Sequence, residues 1–291
     1  MTSKTSAPVV FERGIGWTAA DLGRTHILLA RTSMSDPSLR RLAKDVAEVA
    51  RDPLDSSGIF YHHNETDIRK GAAIIRGPEG TAYEHGYYYF LFEYPTTYPT
   101  DPPKVSFRTS APCLPVSGQS AAQTAQLPGK RCVRMHPNLY VDGKVCLSLL
   151  GTWDGPPWTS CCTIRILLLA IQSILDDDPY MNEPNVRDDD ASHIPYNRAV
   201  KFHNLYDGLA LFRLRTYDTL SPELQARLST PLAYSVSHVL SKLKREISER
   251  GELDSSEVWV GKYSFCTRID YGLLLAVLSS IDDQTNPKQA I

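Results

Sequence analysis

The sequence lacks several features that would assign the protein to a broad class. Its six cysteines, at positions 113, 132, 146, 161, 162 and 266, form no Cys-x-x-Cys pair, which argues against a structural zinc site. The 31 basic and 33 acidic residues nearly balance, so bulk charge gives no sign of a nucleic-acid partner. The most apolar run, Ile164 to Leu175, contains Arg165 and is far shorter than the ~20 residues that cross a bilayer. We therefore expect no metal, no nucleic-acid partner and no membrane span.

Two further absences concern the cell compartment and the architecture. The segment MTSKTSAPVVFERGIG at the start lacks the apolar core of a secretory signal, so we expect reduced thiols and a location in the cytoplasm, the nucleus or both. Internal repeats are also missing. What the chain does have is 291 residues with 42% hydrophobic side chains, enough for one large domain or for one domain with an extension.

An amphipathic helix is the first element that the sequence predicts. At its start, Asp36 can accept hydrogen bonds from the first-turn amides, and Pro37 suits the first helical position. Apolar residues recur up to Arg51 at steps of three and four and form one face. These residues are Leu39, Leu42, Ala43, Val46, Val49 and Ala50. The charged residues fall elsewhere, and their pattern fits either a solvated face or a docking surface.

Four β-strands with short connections follow this helix and predict an antiparallel meander. They are rich in β-branched and aromatic residues and cover Gly58–His62, Asp67–Arg76, Gly86–Tyr94 and Lys104–Thr109. The third strand, GYYYFLFEY, is apolar almost throughout, as expected for a central strand that is covered on both faces. The next stretch, 110–132, has no apolar period and is predicted to be an inserted loop.

Helices dominate the prediction for the second half of the chain. A strong helix is predicted from about Thr159 to Leu175, where Cys161 and Cys162 are interpreted as buried small apolar residues rather than as second nucleophiles. Further helices are predicted at 192–217, from Ser221 to a break at Thr230–Pro231, from there to about Arg250, and at Asp270–Ile281. The segment Val258–Phe265 is predicted to be a short strand or a loop.

The candidate chemistry lies between Met135 and Trp158. Cys146 carries a thiol, which is a good acyl carrier, and Asn138 in a His-Pro-Asn turn carries an amide that could stabilise an oxyanion. Asn138 can equally bond its own turn, and the residue types leave both roles open. A cysteine hydrolase would need a histidine base within hydrogen-bond reach. The nearby candidate, His136, is interpreted as a turn residue, so a hydrolase is disfavoured.

Several motifs, in order along the chain, resemble the catalytic signature of ubiquitin-conjugating enzymes. They are Tyr98-Pro-Thr-Asp-Pro-Pro-Lys104, His136-Pro-Asn138, Cys146-Leu, Trp158 and Asp178-Pro179…Glu183-Pro184. The resemblance implies an α+β protein with the UBC fold: an N-terminal helix, a four-stranded antiparallel meander, an active-site loop and a central helix, followed by a helical C-terminal extension. The implied parts are an arm at 1–34, a catalytic core at 35–190 with the insert at 110–132, and the extension at 191–291.

A narrower resemblance is to the large, C-terminally extended members of that family. The spacer GTWDGPP between Cys146 and Trp158 is longer than is common in the family. The segment DPYMNEPN resembles a stretch of the extended enzyme that is charged by the second ubiquitin-activating enzyme, and SHIPYNRAVKFHN and IDYGLLLAVL resemble parts of its tail.

The resemblance implies a role for each site residue. Cys146 would hold the C-terminus of ubiquitin or a ubiquitin-like modifier as a thioester before its transfer to a lysine, and Asn138 would donate to the oxyanion or order the active-site loop. Glu183 would be an acidic gate residue that orients the incoming lysine, against the alternative of an exposed loop acid. His136 and Trp158 would be structural. No cofactor is implied, because ATP is used only by the upstream activating enzyme.

The resemblance also implies partners. An activating enzyme would dock on the face of the helix at 36–51, and a ubiquitin ligase or the substrate itself would be a further partner. Two departures put ordinary RING or HECT ligase docking in doubt. Asp101 stands where many members carry an exposed apolar residue, and Trp158 is followed by Thr159-Ser160-Cys161 where many have Ser-Pro-Ala. The alternative is a non-catalytic ubiquitin-binding adaptor with the same fold, although such variants usually lack the cysteine.

Overall fold

The computed structural model describes residues 36–109 and 133–285, so the predicted arm at 1–34 and the predicted insert at 110–132 lie outside the described residues. A four-stranded antiparallel sheet in the order β1-β2-β3-β4 lies at its centre, and the predicted meander is confirmed. The strands are β1 Ile59–His63, β2 Lys70–Arg76, β3 Tyr87–Glu93 and β4 Lys104–Phe107. Phe90 of β3 pairs with Ala73 of β2 and with Phe107 of β4, so the aromatic strand is central as expected.

Helix α1 (Pro37–Arg51) begins where the sequence predicts, because the Asp36 carboxylate accepts a hydrogen bond of 2.8 Å from the Ser38 amide. Its apolar side, including Leu42 and Val46, is buried. Helix α2 (Ile164–Ser173) packs against α1 and β2, and the buried residues of all three elements belong to one hydrophobic core. Burial of these apolar side chains is the main favourable term for this layered arrangement.

The start of α2 differs from the prediction, since the helix begins after Thr163 rather than near Thr159. Residues before it are irregular and are tied to α1 by the Arg41 guanidinium, which donates to the carbonyls of Ser160 (2.5 Å) and Cys162 (2.7 Å). The expectation that Cys161 is buried is therefore wrong: its side chain is exposed, and that of Cys162 is half-buried. That expectation rested on the general tendency of cysteine side chains to be buried, which an irregular surface segment does not follow.

The C-terminal extension consists of helices and one β-hairpin. It comprises α3 His193–His203, a π-helix at Asn204–Thr216, α4 Pro222–Arg250, β5 Ser255–Val260, β6 Phe265–Asp270 and α5 Tyr271–Thr285. The helical character of the extension is confirmed, and the segment near 258–265, predicted to be a short strand or a loop, belongs to the two strands and the turn of the β5–β6 hairpin. No helix of the described ranges has the length and apolar character needed to cross a bilayer.

The predicted break at Thr230–Pro231 is wrong, because α4 continues through Pro231. A proline inside a helix removes one backbone hydrogen bond and crowds the preceding turn. Here Leu228 and Leu232, on either side of it, are buried with 0% and 2% exposure. Their packing outweighs the local preference of proline, since tertiary burial supplies most of the stability of helices in proteins.

The extension packs directly on the sheet where β3 begins. Asn204 donates from its side-chain amide to the Glu84 carbonyl (2.8 Å) and accepts from the Tyr88 hydroxyl (2.5 Å). Gly86 permits this approach, because a Cβ there would lie 1.8 Å from the Asn204 side-chain oxygen. Tyr87 stacks on Phe212 with ring centres 5.3 Å apart. The extension therefore contacts the central strand at its first residues.

Candidate active site

Two hydrogen bonds join Cys146 to Asn138 across a closed turn. The Cys146 amide donates to the Asn138 carbonyl at 2.8 Å, and Asn138 Nδ2 donates to the Cys146 carbonyl at 2.8 Å. These bonds connect Asn138 to the main chain of Cys146 within the loop. The Asn138 carboxamide has two N–H groups, so one donor remains for a developing oxyanion. The geometry is compatible with both roles.

His136 is a turn residue in this arrangement. It is completely buried, and its Nδ1 accepts a hydrogen bond of 2.9 Å from the Asn138 amide. Burial, with a smaller contribution from the charge of Arg134, lowers the pKa of His136 to about 3, so the ring is neutral near pH 7. Because Nδ1 binds a backbone amide, it is not available as a base for the thiol. This agrees with the structural interpretation of His136.

The spacer after Cys146 contributes a residue that sequence reasoning missed. Thr152 Oγ1 donates to the Val145 carbonyl at 2.7 Å and accepts from the Leu147 amide at 3.0 Å. These bonds hold the residues immediately before and after Cys146, while the spacer itself is exposed to solvent. The sequence signal for this role was the hydroxyl side chain of Thr152 near the cysteine. Such a side chain is informative because Ser and Thr often bond neighbouring backbone groups.

The candidate nucleophile lies below the surface, since Cys146 is only 1% exposed. By contrast Val141 on the preceding turn and Trp153 in the spacer are exposed by 49% and 39%. The Cys146 side chain is therefore almost completely shielded from solvent. No three His, Cys, Asp or Glu side chains of 36–109 and 133–285 are grouped as metal ligands would be.

Trp158 has the structural role that was predicted. Its indole N–H donates to the Pro99 carbonyl at 2.8 Å, and its ring lies 6.0 Å from that of Tyr98. Tyr98 in turn donates a hydrogen bond to Asp45 of α1. The segment that carries the Tyr-Pro-x-x-Pro-Pro motif is thus fixed between the end of the spacer and α1.

Glu183 is not an exposed loop acid. It follows the 3-10 turn Pro179–Asn182, and its side chain is only 17% exposed. One carboxylate oxygen accepts a hydrogen bond of 2.6 Å from the Tyr263 hydroxyl, and the other lies 3.9 Å from Lys262 Nζ. Both partners belong to the extension, and no motif in the sequence near Glu183 predicts these contacts.

Arg134 joins the His-Pro-Asn turn to the extension. Its guanidinium donates to the Pro137 carbonyl and lies 3.7 Å from the centre of the Tyr140 ring. Its own carbonyl accepts a hydrogen bond of 2.6 Å from the hydroxyl of Tyr196 in α3. Sequence reasoning missed Arg134 and Tyr196, because their contact joins residues 62 positions apart.

Comparison with known proteins gives a consistent result. The model of the ubiquitin-conjugating enzyme family matches residues 41–205, which is more than half of the chain and includes Cys146, Asn138 and Glu183. The human protein named ubiquitin-conjugating enzyme E2 Z is 37% identical over 146 residues, covering 50% of this chain and 36% of that protein. Its counterpart in Xenopus tropicalis is 36% identical over 150 residues, covering 52% of this chain and 42% of that protein.

A more distant species gives a similar match. The probable ubiquitin-conjugating enzyme protein 17 of Caenorhabditis elegans is 38% identical over 153 residues, or 50% of this chain and 18% of that protein. The chain thus covers well under half the length of these curated relatives. The fold, the ordered motifs and the family match over 41–205 lead to one conclusion. The chain belongs to the ubiquitin-conjugating enzyme family and carries a C-terminal extension.

Proposed function

We propose that the protein accepts ubiquitin or a ubiquitin-like modifier from an activating enzyme as a thioester on Cys146 and passes it to a lysine. The observation that supports this most is the pair of hydrogen bonds between Cys146 and Asn138. They fix the cysteine main chain beside an amide that can donate to a tetrahedral intermediate. Loss of one such donor typically costs roughly two to three orders of magnitude in rate.

Charging would be an exchange of thioesters. The Cys146 sulfur attacks the modifier's C-terminal carbonyl carbon, a new C–S bond forms, and the bond to the activating enzyme's thiol breaks. The proton lost by Cys146 passes to the departing thiolate. ATP is used upstream and needs no site on this chain. We place this chemistry in the cytoplasm or the nucleus, where thiols stay reduced.

Transfer would begin when the amine of a lysine attacks the thioester carbonyl. A new C–N bond forms, the oxygen becomes anionic, and the free N–H of Asn138 donates to it. The intermediate then collapses, the C–S bond breaks, and the Cys146 thiolate leaves and takes up the proton that the attacking nitrogen loses. Since an exposed lysine has a pKa near 10.4, it must lose a proton before it attacks. The Glu183 carboxylate would orient the amine for this step.

The activating enzyme would dock on α1, where only some of the charged side chains are accessible to a partner. Asp45 is buried and pairs with Arg41 at 2.9 Å, so these two residues serve the fold. Arg40 and Lys44, one helical turn apart, are exposed and remain for a partner. A ligase or the substrate itself would be the next partner.

A charging assay tests the proposal. The protein is incubated with ATP, ubiquitin and, in parallel reactions, two different activating enzymes, and adducts are separated with and without reductant. The expected result is an adduct that reductant removes, that is missing in Cys146→Ala, and that persists in Cys161→Ala, which removes an exposed thiol instead. An adduct that survives Cys146→Ala would contradict the proposal.

The burial of Cys146 favours a second candidate, a ubiquitin-binding adaptor that uses the fold without catalysis. An adaptor would bind free ubiquitin but form no adduct with either activating enzyme. Binding measured by titration of labelled ubiquitin, together with the charging assay, separates the two functions. The same amount of ubiquitin binding by the wild type and by Cys146→Ala, with no adduct in either, would establish the adaptor.

A further inference from the structure

We propose that Tyr263, in the C-terminal extension, is a positioning residue that fixes the Glu183 carboxylate for its contact with the incoming lysine. This inference rests on the proposed function, in which Glu183 orients that lysine. Tyr263 itself would touch neither the modifier nor the substrate. It would act through Glu183, and the extension would thereby take part in the transfer step.

One turn of the extension engages both carboxylate oxygens of Glu183. The turn Gly261–Tyr263 connects β5 to β6 and supplies the Tyr263 hydroxyl at 2.6 Å and Lys262 Nζ at 3.9 Å. The Lys262 amide donates to the Ser192 hydroxyl at 3.1 Å, which anchors the turn next to α3. Because hydrogen bonds to ionised groups are stronger than neutral ones, the short bond from Tyr263 dominates the orientation of the carboxylate.

Tyr263 is well suited to act as a fixed donor. Burial, the neighbouring Tyr196 and the Glu183 carboxylate raise the pKa of Tyr263 far above its usual value, so the phenol stays protonated. A protonated phenol beside a carboxylate has its hydrogen directed at that carboxylate. An ionised carboxylate accepts about four hydrogen bonds, so the contacts to Tyr263 and Lys262 leave acceptor capacity for an amine.

Tyr263 also contacts Arg134, which is bonded to the His-Pro-Asn turn that precedes Cys146. Its ring lies 5.0 Å from that of Tyr196 and 5.3 Å from the Arg134 guanidinium, which in turn covers Tyr140. The cluster thus connects the loop that carries Glu183 with the turn that precedes Cys146. A positioning device must be held by its own surroundings, and packing on two sides holds the Tyr263 ring.

The test is Tyr263→Phe, which removes the hydroxyl and keeps the ring. Purified Cys146 thioester is mixed with free lysine or with hydroxylamine, a small nucleophile that is unprotonated at pH 7. Discharge to lysine should slow roughly tenfold, as expected for a lost hydrogen bond to a charged group. Charging and discharge to hydroxylamine should stay unchanged, since neither needs an oriented lysine. Equal slowing with both nucleophiles, or no slowing with lysine, would overturn the inference.

A double-mutant cycle shows whether Tyr263 acts through Glu183. In a Glu183→Gln background, Tyr263→Phe should slow lysine discharge no further, whereas additive losses would contradict a shared role. Tyr217→Phe is the matched control, because it removes another extension hydroxyl, which donates to the Gln225 carbonyl at 2.9 Å, and should leave discharge unchanged. If the wild type itself is never charged, the proposed function fails together with this inference; normal charging without an effect of Tyr263→Phe overturns the inference alone.

Discussion

Cys146 and Glu183 are held in place by different parts of the chain. Cys146 is bonded to Asn138, eight residues away, within a turn that closes on itself. Glu183 is bonded to Tyr263, eighty residues away, in the hairpin turn of the extension. The first arrangement needs only local sequence, whereas the second exists only when the extension has folded onto the core. A family motif is therefore sufficient to build the turn that carries Cys146 but not to fix the Glu183 side chain.

The same contrast appears in how the two regions are stabilised. The cysteine turn uses two short-range hydrogen bonds between Asn138 and Cys146, one of them from the Asn138 side chain. The extension depends on long-range contacts such as that between Asn204 and Gly86, and on the ion pair of Arg227 with Asp55 at 2.5 Å. Changes on each side should therefore have separable effects.

The largest expected effect lies on the turn side. Asn138→Ala removes the amide, and lysine transfer should slow roughly 100- to 1,000-fold if that amide stabilises an oxyanion. Charging should slow less, and single-turnover rates of both steps measure the difference. Thr152→Val is the control, because it loosens the backbone on either side of Cys146 without removing an amide donor. Thr152→Val should slow charging and lysine transfer to a similar, small extent. If Asn138→Ala also slowed the two steps equally, the role of Asn138 would be limited to ordering the loop.

The next effect tests the extension side. Gly86→Ala places a Cβ 1.8 Å from the Asn204 side-chain oxygen, so Asn204 must give up its bonds to Tyr88 and Glu84. Overpacking and lost buried hydrogen bonds together should cost about 3 kcal/mol of unfolding free energy, measured by urea titration. Lysine discharge should fall more than charging, since the extension carries the partner of Glu183.

A matched glycine separates this clash from a general effect of alanine. Gly272→Ala lies in α5 of the same extension, where the nearest atom to a new Cβ is an Asp270 carboxylate oxygen at 3.3 Å. Its urea midpoint should stay close to that of the wild type. If Gly86→Ala reduces charging and discharge equally, the two sides of the site are coupled, and the contrast between them is contradicted.

The smallest effect concerns pH and the turn side. The pKa of His136 is lowered to about 3 in the folded state, whereas an unfolded histidine titrates near 6.5. Between these values the unfolded chain binds more protons, so the stability gained from neutral His136 is complete above about pH 6.5 and declines as the pH falls toward 3. As the pH falls, the unfolding free energy of the wild type should decrease by up to about 1.4 kcal/mol per pH unit more than that of His136→Asn. Asn is chosen because its side-chain oxygen keeps a hydrogen-bond acceptor near the position of Nδ1. Parallel stability curves from pH 7 to pH 5 would contradict this.

Much of the core could be predicted from the sequence, because its signals are local. The Asp36 cap, the β-branched and aromatic residues of the strands and the His-Pro-Asn turn each act within a few residues, and the structure has α1, the meander and the Cys146–Asn138 turn where they were expected. Helix α2 was also predicted, although its start was placed too early and Cys161 was therefore wrongly taken as buried.

The remaining features depend on contacts that a linear pattern does not contain. Pro231 lies within a continuous helix because its neighbours are buried by the rest of the extension. The β5–β6 hairpin was missed because Trp259, with 57% exposure, and its neighbours do not follow a clear apolar pattern. The hydroxyl that contacts Glu183 comes from the turn of that hairpin, so missing the hairpin also meant missing this part of the site.

The 1% exposure of Cys146 has a consequence for thiol-labelling kinetics. A small alkylating reagent should react at once with exposed Cys161, whereas it reaches Cys146 only in the fraction of molecules whose site has opened. The ratio of the two labelling rates, resolved by peptide mass spectrometry, therefore gives the free energy of opening. If that ratio rises when an activating enzyme is added without ATP, the partner itself opens the site before any chemistry begins.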